Sequence, residues 1–177
     1  MKKEDIANYK AVERLRDDRL LTIRAVRPDD KALVLEALPG VSPESIQRRL
    51  FTTKKEITEE GLRKITEVDF VNTVALVAAL ENDGAERLAG GGRYIRIGES
   101  KRAEVAFLIE DEFQGLGIAL RIFKHLVGIA RESGITEFEA EVLPTNEAML
   151  KVFARSGIPI TRTVTRDSIH VLMELGA

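Results

Sequence analysis

A glycine pair between an apolar run and a helical pattern, "EDEFQGLGIALRIFKHL" over residues 110–126, is one place where residue type and spacing could do chemistry. The apolar run ends at Glu110 and a helical pattern opens near Gly115, with no Asp, Ser or Thr to cap it. The unpaired N–H groups of a helix start all point one way, and with the helix dipole they attract an anion. Gly115 and Gly117 remove the side chains that would hold a diphosphate off the backbone, and Ala119 is small. A ligand phosphate would then replace the cap; the alternative is a plain tight turn into a helix. A Walker loop is excluded because Ile118-Ala119 stands where Lys-Ser or Lys-Thr is needed. A dinucleotide fingerprint is disfavoured by Leu120 and by the antiparallel pattern before it.

A second candidate is Glu104, the one ionisable residue within "AEVAFLI". Burial on a central strand would raise its pKa toward the range of a general base. The other reading is a structural carboxylate paired across strands with Arg93 or Arg96. Asn146 opens "NEAMLKVFARSG" and is either an N-cap or a ligand contact, roles that are compatible. His125 and His170 have no carboxylate spacing typical of a metal site and read as structural, so no metal is expected.

The elements that must position these residues follow from pattern. Residues 1–19 are polar and suggest a loosely docked helix, with a single domain over 20–177. "LLTIRAV" alternates like a strand, "RPDDKALVLEAL" follows as a helix, and "SPESIQRRLF" restarts one with Ser42 as N-cap, Pro43 first and Glu44 in the first turn. A third helix spans roughly 58–68. "NTVALVAAL", "RLAGGGRYIRI" and "RAEVAFLIE" form an antiparallel meander across "ENDGAE" and "GES". A helix from Gly115 to Ser133 should bury residues 116, 119, 120, 123, 126, 127 and 130 and end at Gly134. "TEFEAEVL" is a strand, "NEAMLKVFARSG" a helix, and "TRTVTR" with "SIHVLMEL" a closing hairpin. The expected fold is α/β, a mixed sheet of about seven strands with helices on both faces. Strands 102–110 and 136–143 should lie parallel through a right-handed crossover.

Composition narrows the functions. The 177 residues carry 27 Lys and Arg against 29 Asp and Glu, a net charge of −2, so no broad field recruits nucleic acid or an anionic membrane. The absence of cysteine excludes disulfides, a thiolate nucleophile and the common zinc sets, and fits a reducing cytoplasm. No apolar run approaches the ~20 residues of a membrane span.

Gln114, Gly117 and Ala119 match the signature Gln or Arg-x-x-Gly-x-Gly or Ala between strand and helix in the GNAT superfamily of N-acetyltransferases, and the chain resembles that family over about residues 20–175. Asn146 followed by Gly157 is a second matching feature. "SPESIQRRLF", "VALVA", "GGRYI", "AEVAFLI" and "AEVLPTNEAML" resemble, more narrowly, the acetyltransferase domain of bacterial protein lysine acetyltransferases. Some of those are fused to acyl-CoA synthetase-like or cyclic-nucleotide-binding domains, neither of which is in this chain.

The resemblance implies acetyl-CoA as co-substrate and direct attack in a ternary complex. It places the pantetheine arm on Phe107, Leu108 and Ile109, where the parallel strands splay beyond 108. It places the pyrophosphate on Gln114, Gly115, Leu116, Gly117, Ile118 and Ala119. Asn146 and Phe153 complete the donor side, and Glu104 is the base. Many members carry Tyr at the position of Phe153, so leaving-group protonation here falls to water or is not residue-assisted. The implied acceptor is a protein lysine, possible partners including an acyl-CoA synthetase. A small-molecule amine, or a non-catalytic acyl-CoA-binding module, is the alternative. Arg48 and Arg49 lie in the region that lines the acceptor groove in relatives.

Overall fold

The computed structural model describes residues 1–41 and 58–176. In chain order the elements are α1 (Lys3–Ala7), β1 (Lys10–Arg14), β2 (Leu20–Ala25), α2 (Lys31–Ala37), α3 (Glu59–Thr66), β3 (Thr73–Asn82), β4 (Ala85–Arg96), β5 (Arg102–Ile109), α4 (Ile118–Glu132), β6 (Glu137–Val142), α5 (Glu147–Arg155), β7 (Ile160–Val164) and β8 (Ile169–Glu174). The expected helix at 42–51 falls outside the described residues, as do Arg48 and Arg49. The strands form one eight-stranded sheet in the order β1-β2-β3-β4-β5-β6-β8-β7. Only β5 and β6 are parallel. The turn between β3 and β4 is built on Asp83 and Gly84, both at positive φ, as a two-residue hairpin of matching twist requires.

The eighth strand is the departure from the expected seven. Residues 10–14, expected within a loose helix, pair antiparallel with β2 as an edge strand. Polar composition concealed it because an edge strand needs few buried side chains. Two buried anchors, Ile6 and Leu15, fix its ends. A chain of hydrogen bonds fixes its middle: Tyr9 to His125 Nδ1 at 2.5 Å, and His125 Nε2 to Glu13 at 2.6 Å. Glu13 also pairs with Arg121 at 2.9 Å.

Strand alternation gives the sheet two apolar faces. One carries Val105, Phe107, Phe138 and Tyr94 and is covered by α4, with Phe153 of α5 joining the same cluster. The other carries Ala75, Val77 and Leu88 and is covered by Val34 and Leu38 of the α2 region and Leu62 of α3. Helix α4 buries Ile118, Ile122, Phe123, Leu126, Val127, Ile129 and Ala130, each large one contributing about 1.5–3 kcal/mol. The expected 116, 119 and 120 are replaced by 118, 122 and 129, because the helix starts at Ile118, which leaves Leu116 outside it, and the buried stripe runs through Ile118, Ile122 and Ile129 while Ala119 and Leu120 are only partly buried. It ends in a Schellman motif: Gly134, at φ 79°, donates to Arg131 O, and Ile135 donates to Ala130 O. Gly92 lets this helix approach, since a Cβ there would come within 2.6 Å of Phe107 and 2.8 Å of Ile122.

Candidate active site

β5 ends at Ile109, a single 3-10 turn spans Asp111–Phe113, and α4 begins at Ile118. Gly115 and Gly117 lie at φ 82° and 77°, a left-handed region that costs an L side chain strain. Space is not what requires Gly115, because a Cβ there would meet nothing within 4 Å. At Gly117 a Cβ would come 3.0 Å from Arg121 Nη1. The N-cap position is Gly117 and no side chain caps the helix. Among the described residues no backbone N–H from Gly115 to Leu120 donates a hydrogen bond, so the opening turn presents a cluster of free donors. Gln114 is exposed and its amide reaches Asp111 at 3.2 Å. Leu116 and Ala119 are partly buried and Ile118 is fully so, which leaves residue 118 only its backbone to offer a ligand.

The parallel ladder beside this loop is short. It joins Arg102 to Glu137, Ala103 to Phe138 and Glu104 to Glu139, and then stops. The separation expected beyond 108 therefore begins after Glu104. From Val105 to Ile109, β5 is paired only with β4, and its other edge faces an open seam. Leu108 and Ile109 are partly buried along that edge. Phe107 points away from it into the α4 face, where it meets Phe123 and Phe153 at ring-centroid distances of 5.8 and 6.3 Å. Phe153 is 1% exposed and can supply packing but no proton. Asn146 caps α5, its Oδ1 accepting from the Met149 N–H at 3.2 Å.

Glu104 stands where the ladder ends, and it is exposed rather than buried. The sequence argument from desolvation fails because alternation turns residue 104 away from the α4 face that buries its neighbours Ala103 and Val105. The ion-pair alternative is not realised either. Among the described residues Glu104 has no hydrogen-bond or salt-bridge partner, and Arg96 instead donates to Ser100 O and Ser133 O. The carboxylate is free at the mouth of the seam.

On the same face, β5 continues through Ala106, Leu108 and Glu110, which with Gly90–Arg93 of β4 and the α2 region line an apolar cavity of about 130 Å³. Its polar lining is confined to Arg93 and Glu110. Glu110 is buried, with Oε1 held by Arg87 at 2.7 Å and Oε2 without a partner among the described residues. Gly40 leaves room for this carboxylate, since a Cβ there would fall 2.1 Å from Glu110 Cγ. Arg93 is partly buried; loss of water pushes its pKa down and the field of Glu104 only partly restores it. Sequence reasoning treated Arg93 only as a possible partner for Glu104 and did not consider Glu110. The signal for both was a charge beside apolar residues, Arg93 within "GGGRYI" and Glu110 closing "VAFLIE".

The fold and the sequence together identify the family. The sequence model described as an acetyltransferase (GNAT) domain matches residues 20–158. The chain belongs to the GNAT acetyltransferase family. An acetyltransferase of Pseudomonas aeruginosa is 30% identical over 164 residues, covering 93% of this chain and 88% of the relative. The crystal structure of the GNAT domain of S. lividans PAT superposes with a TM-score of 0.81 at 32% identity, over 93% of this chain and 96% of that one. A Salmonella typhimurium protein described as a putative acetyltransferase, solved with acetyl-CoA, shares the fold with a TM-score of 0.66 at 17% identity, over 88% and 94% of the two chains. The GNAT fold expected from Gln114, Gly117 and Ala119 is thus the fold observed.

Proposed function

We propose that this GNAT acetyltransferase moves the acetyl group of acetyl-CoA to a lysine side chain of a protein, with Glu104 as general base. The observation that carries the reading is the position of Glu104, unpaired at the residue where β5 and β6 part. The donor diphosphate lies on the free N–H groups of Gly115 to Ala119, and the pantetheine runs into the seam as a substitute partner for β5. Donor and acceptor then meet at the seam from opposite faces, the acceptor arriving over the cavity. The resemblance to bacterial protein lysine acetyltransferases, and the similarity to the S. lividans PAT domain, favour a protein acceptor.

A lysine amine, with an ordinary pKa near ~10.4, is almost wholly protonated at neutral pH and cannot attack. Glu104 takes its proton directly or through one water. The nitrogen lone pair forms the C–N bond at the thioester carbonyl, whose oxygen takes up the displaced electron pair against a free backbone N–H of β5. Collapse breaks the C–S bond, and the coenzyme thiolate leaves and takes a proton from the ammonium through solvent. Phe153 offers none.

A positioned base contributes about 10² to 10⁴ in rate, or roughly 3–5 kcal/mol. Thiol release should be followed with acetyl-CoA and lysine peptides, intact acyl-CoA synthetases, polyamines and amino acids. Protein lysine should give the highest kcat/KM. Glu104→Gln should lower kcat by that factor, keep acetyl-CoA affinity, and recover in part at high pH as free amine appears. A Glu104→Gln enzyme with near-normal kcat at pH 7 would show that the base lies elsewhere. Coenzyme binding without turnover on any amine would favour a binding module.

A further inference from the structure

Arg93 is the one charged side chain on the cavity's β4 wall. Among the described residues it has neither a hydrogen bond nor an ion pair. A guanidinium that has lost water, and for which the field of Glu104 compensates only in part, carries a desolvation cost, and it persists where a ligand supplies the missing hydrogen-bonded partner. We infer that Arg93 binds a carboxylate of the acceptor, so that the preferred lysine has an acidic side chain within two residues of it. The inference rests on the assignment of the cavity face to the acceptor.

The register gives the spacing. Ile95 lies opposite Glu104 and Arg93 opposite Ala106, so Arg93 is one step further along the same face as the base. That step is about 7 Å, two residues of strand. An extended acceptor with its lysine at Glu104 would bring a side chain one or two residues away to Arg93. The planar fork of an arginine suits a carboxylate, which it holds with two parallel hydrogen bonds. Charge selects a single negative group over a phosphate: Glu110 lines the cavity and the field of Glu104 reaches Arg93, so a dianion would meet more repulsion than a carboxylate. A carboxylate could also arrive on the acyl group, as in succinyl-CoA. The acceptor is favoured because Arg93 opens on the face opposite α4, whose first turn takes the donor diphosphate.

The test pairs lysine peptides carrying Glu, or Gln, two residues from the lysine with wild type, Arg93→Gln and Arg93→Lys. With acetyl-CoA, wild type should favour the Glu peptide by about tenfold or more in kcat/KM. The ratio should collapse toward one in Arg93→Gln and return in part in Arg93→Lys. Absence of the preference in wild type, or its survival in Arg93→Gln, overturns the inference. A second arm compares succinyl-CoA with acetyl-CoA on the Gln peptide. A succinyl preference that disappears in Arg93→Gln assigns the carboxylate to the donor and also overturns it. Binding of both peptides to the CoA-loaded enzyme, read by fluorescence anisotropy, separates the two proposals. Turnover of no peptide would sink the lysine-acceptor reading, while the Glu-to-Gln binding ratio would still decide Arg93. Circular dichroism melts confirm that both variants are folded.

Discussion

Two arginines on one face of the sheet have opposite surroundings. Arg24 on β2 is 2% exposed and held by Asp30 at 2.8 Å through both terminal nitrogens, by Glu86 at 2.7 Å, and by the carbonyl of Ala25. Arg93 on β4 is partly buried and, among the described residues, has no hydrogen bond or ion pair, only the field of Glu104. Burial works to lower the pKa of both. At Arg24 the two carboxylates more than reverse the effect, and at Arg93 it prevails. Asp30 also accepts from the Arg27 N–H, so the first arginine ties the turn before α2 to the sheet. A cation that serves architecture is surrounded by its own anions, whereas one kept for a visitor is left incomplete.

The largest effect should come from breaking the complete site. Asp30→Asn leaves Arg24 buried with one carboxylate fewer and should cost about 3–5 kcal/mol in urea unfolding. The same pair sets an acid limit. Burial pushes the Asp30 pKa up, but the Arg24 hydrogen bonds and the Arg27 N–H outweigh it and hold the pKa below the usual range. The stability so gained is full above the unfolded value near ~3.9 and is lost as pH falls through the lower folded value. Asp30→Asn should lack that part of the acid loss, which melts from pH 6 down to pH 2 would reveal.

Next in size is Gly117→Val on the donor side. A branched residue at φ 77° should cost about 1–3 kcal/mol and remove the rise in melting temperature that acetyl-CoA gives. A full rise in the variant would disprove the phosphate loop. Asn146→Ala should cost about 1 kcal/mol, the value of an N-cap, and leave coenzyme affinity unchanged if capping is its whole role. A loss of affinity measured by calorimetry would make it a ligand as well. Smallest is Arg93→Met, which removes an unpaired charge and should change stability by less than about 1 kcal/mol, in either direction. A cost equal to that of Asp30→Asn would erase the contrast between the two arginines.

Much of this is legible in the sequence. Val74 to Leu80 carry their strand character in an unbroken apolar run and Ala103 to Phe107 in one interrupted by Glu104 alone, and the glycines at 115, 117 and 134 announce positions where only positive φ works. Such features are local, fixed by a few neighbouring residues. What escaped is set by distant ones. β1 exists because β2 offers an edge and because Tyr9 and Glu13 find His125, more than a hundred residues away. The exposure of Glu104 depends on which face α4 covers, and the early parting of β5 from β6 depends on pairing that no single segment encodes. Arg24 finds Glu86 across the neighbouring strand, while Arg93 makes no ion pair among the described residues; both read identically as an arginine among apolar residues.

The three-pair ladder between β5 and β6 also has a mechanical meaning. The sheet is two plates, one of five strands and one of three, welded over a short length and braced on one side by α4. A narrow weld is compliant, and a donor laid along the open edge would act as a strut between the plates. Binding should therefore stiffen the domain well beyond the groups it touches. Slower hydrogen exchange at Ala140 to Val142 of β6, together with Val105 to Ile109 of β5, would register that stiffening as a change in the elasticity of the whole sheet.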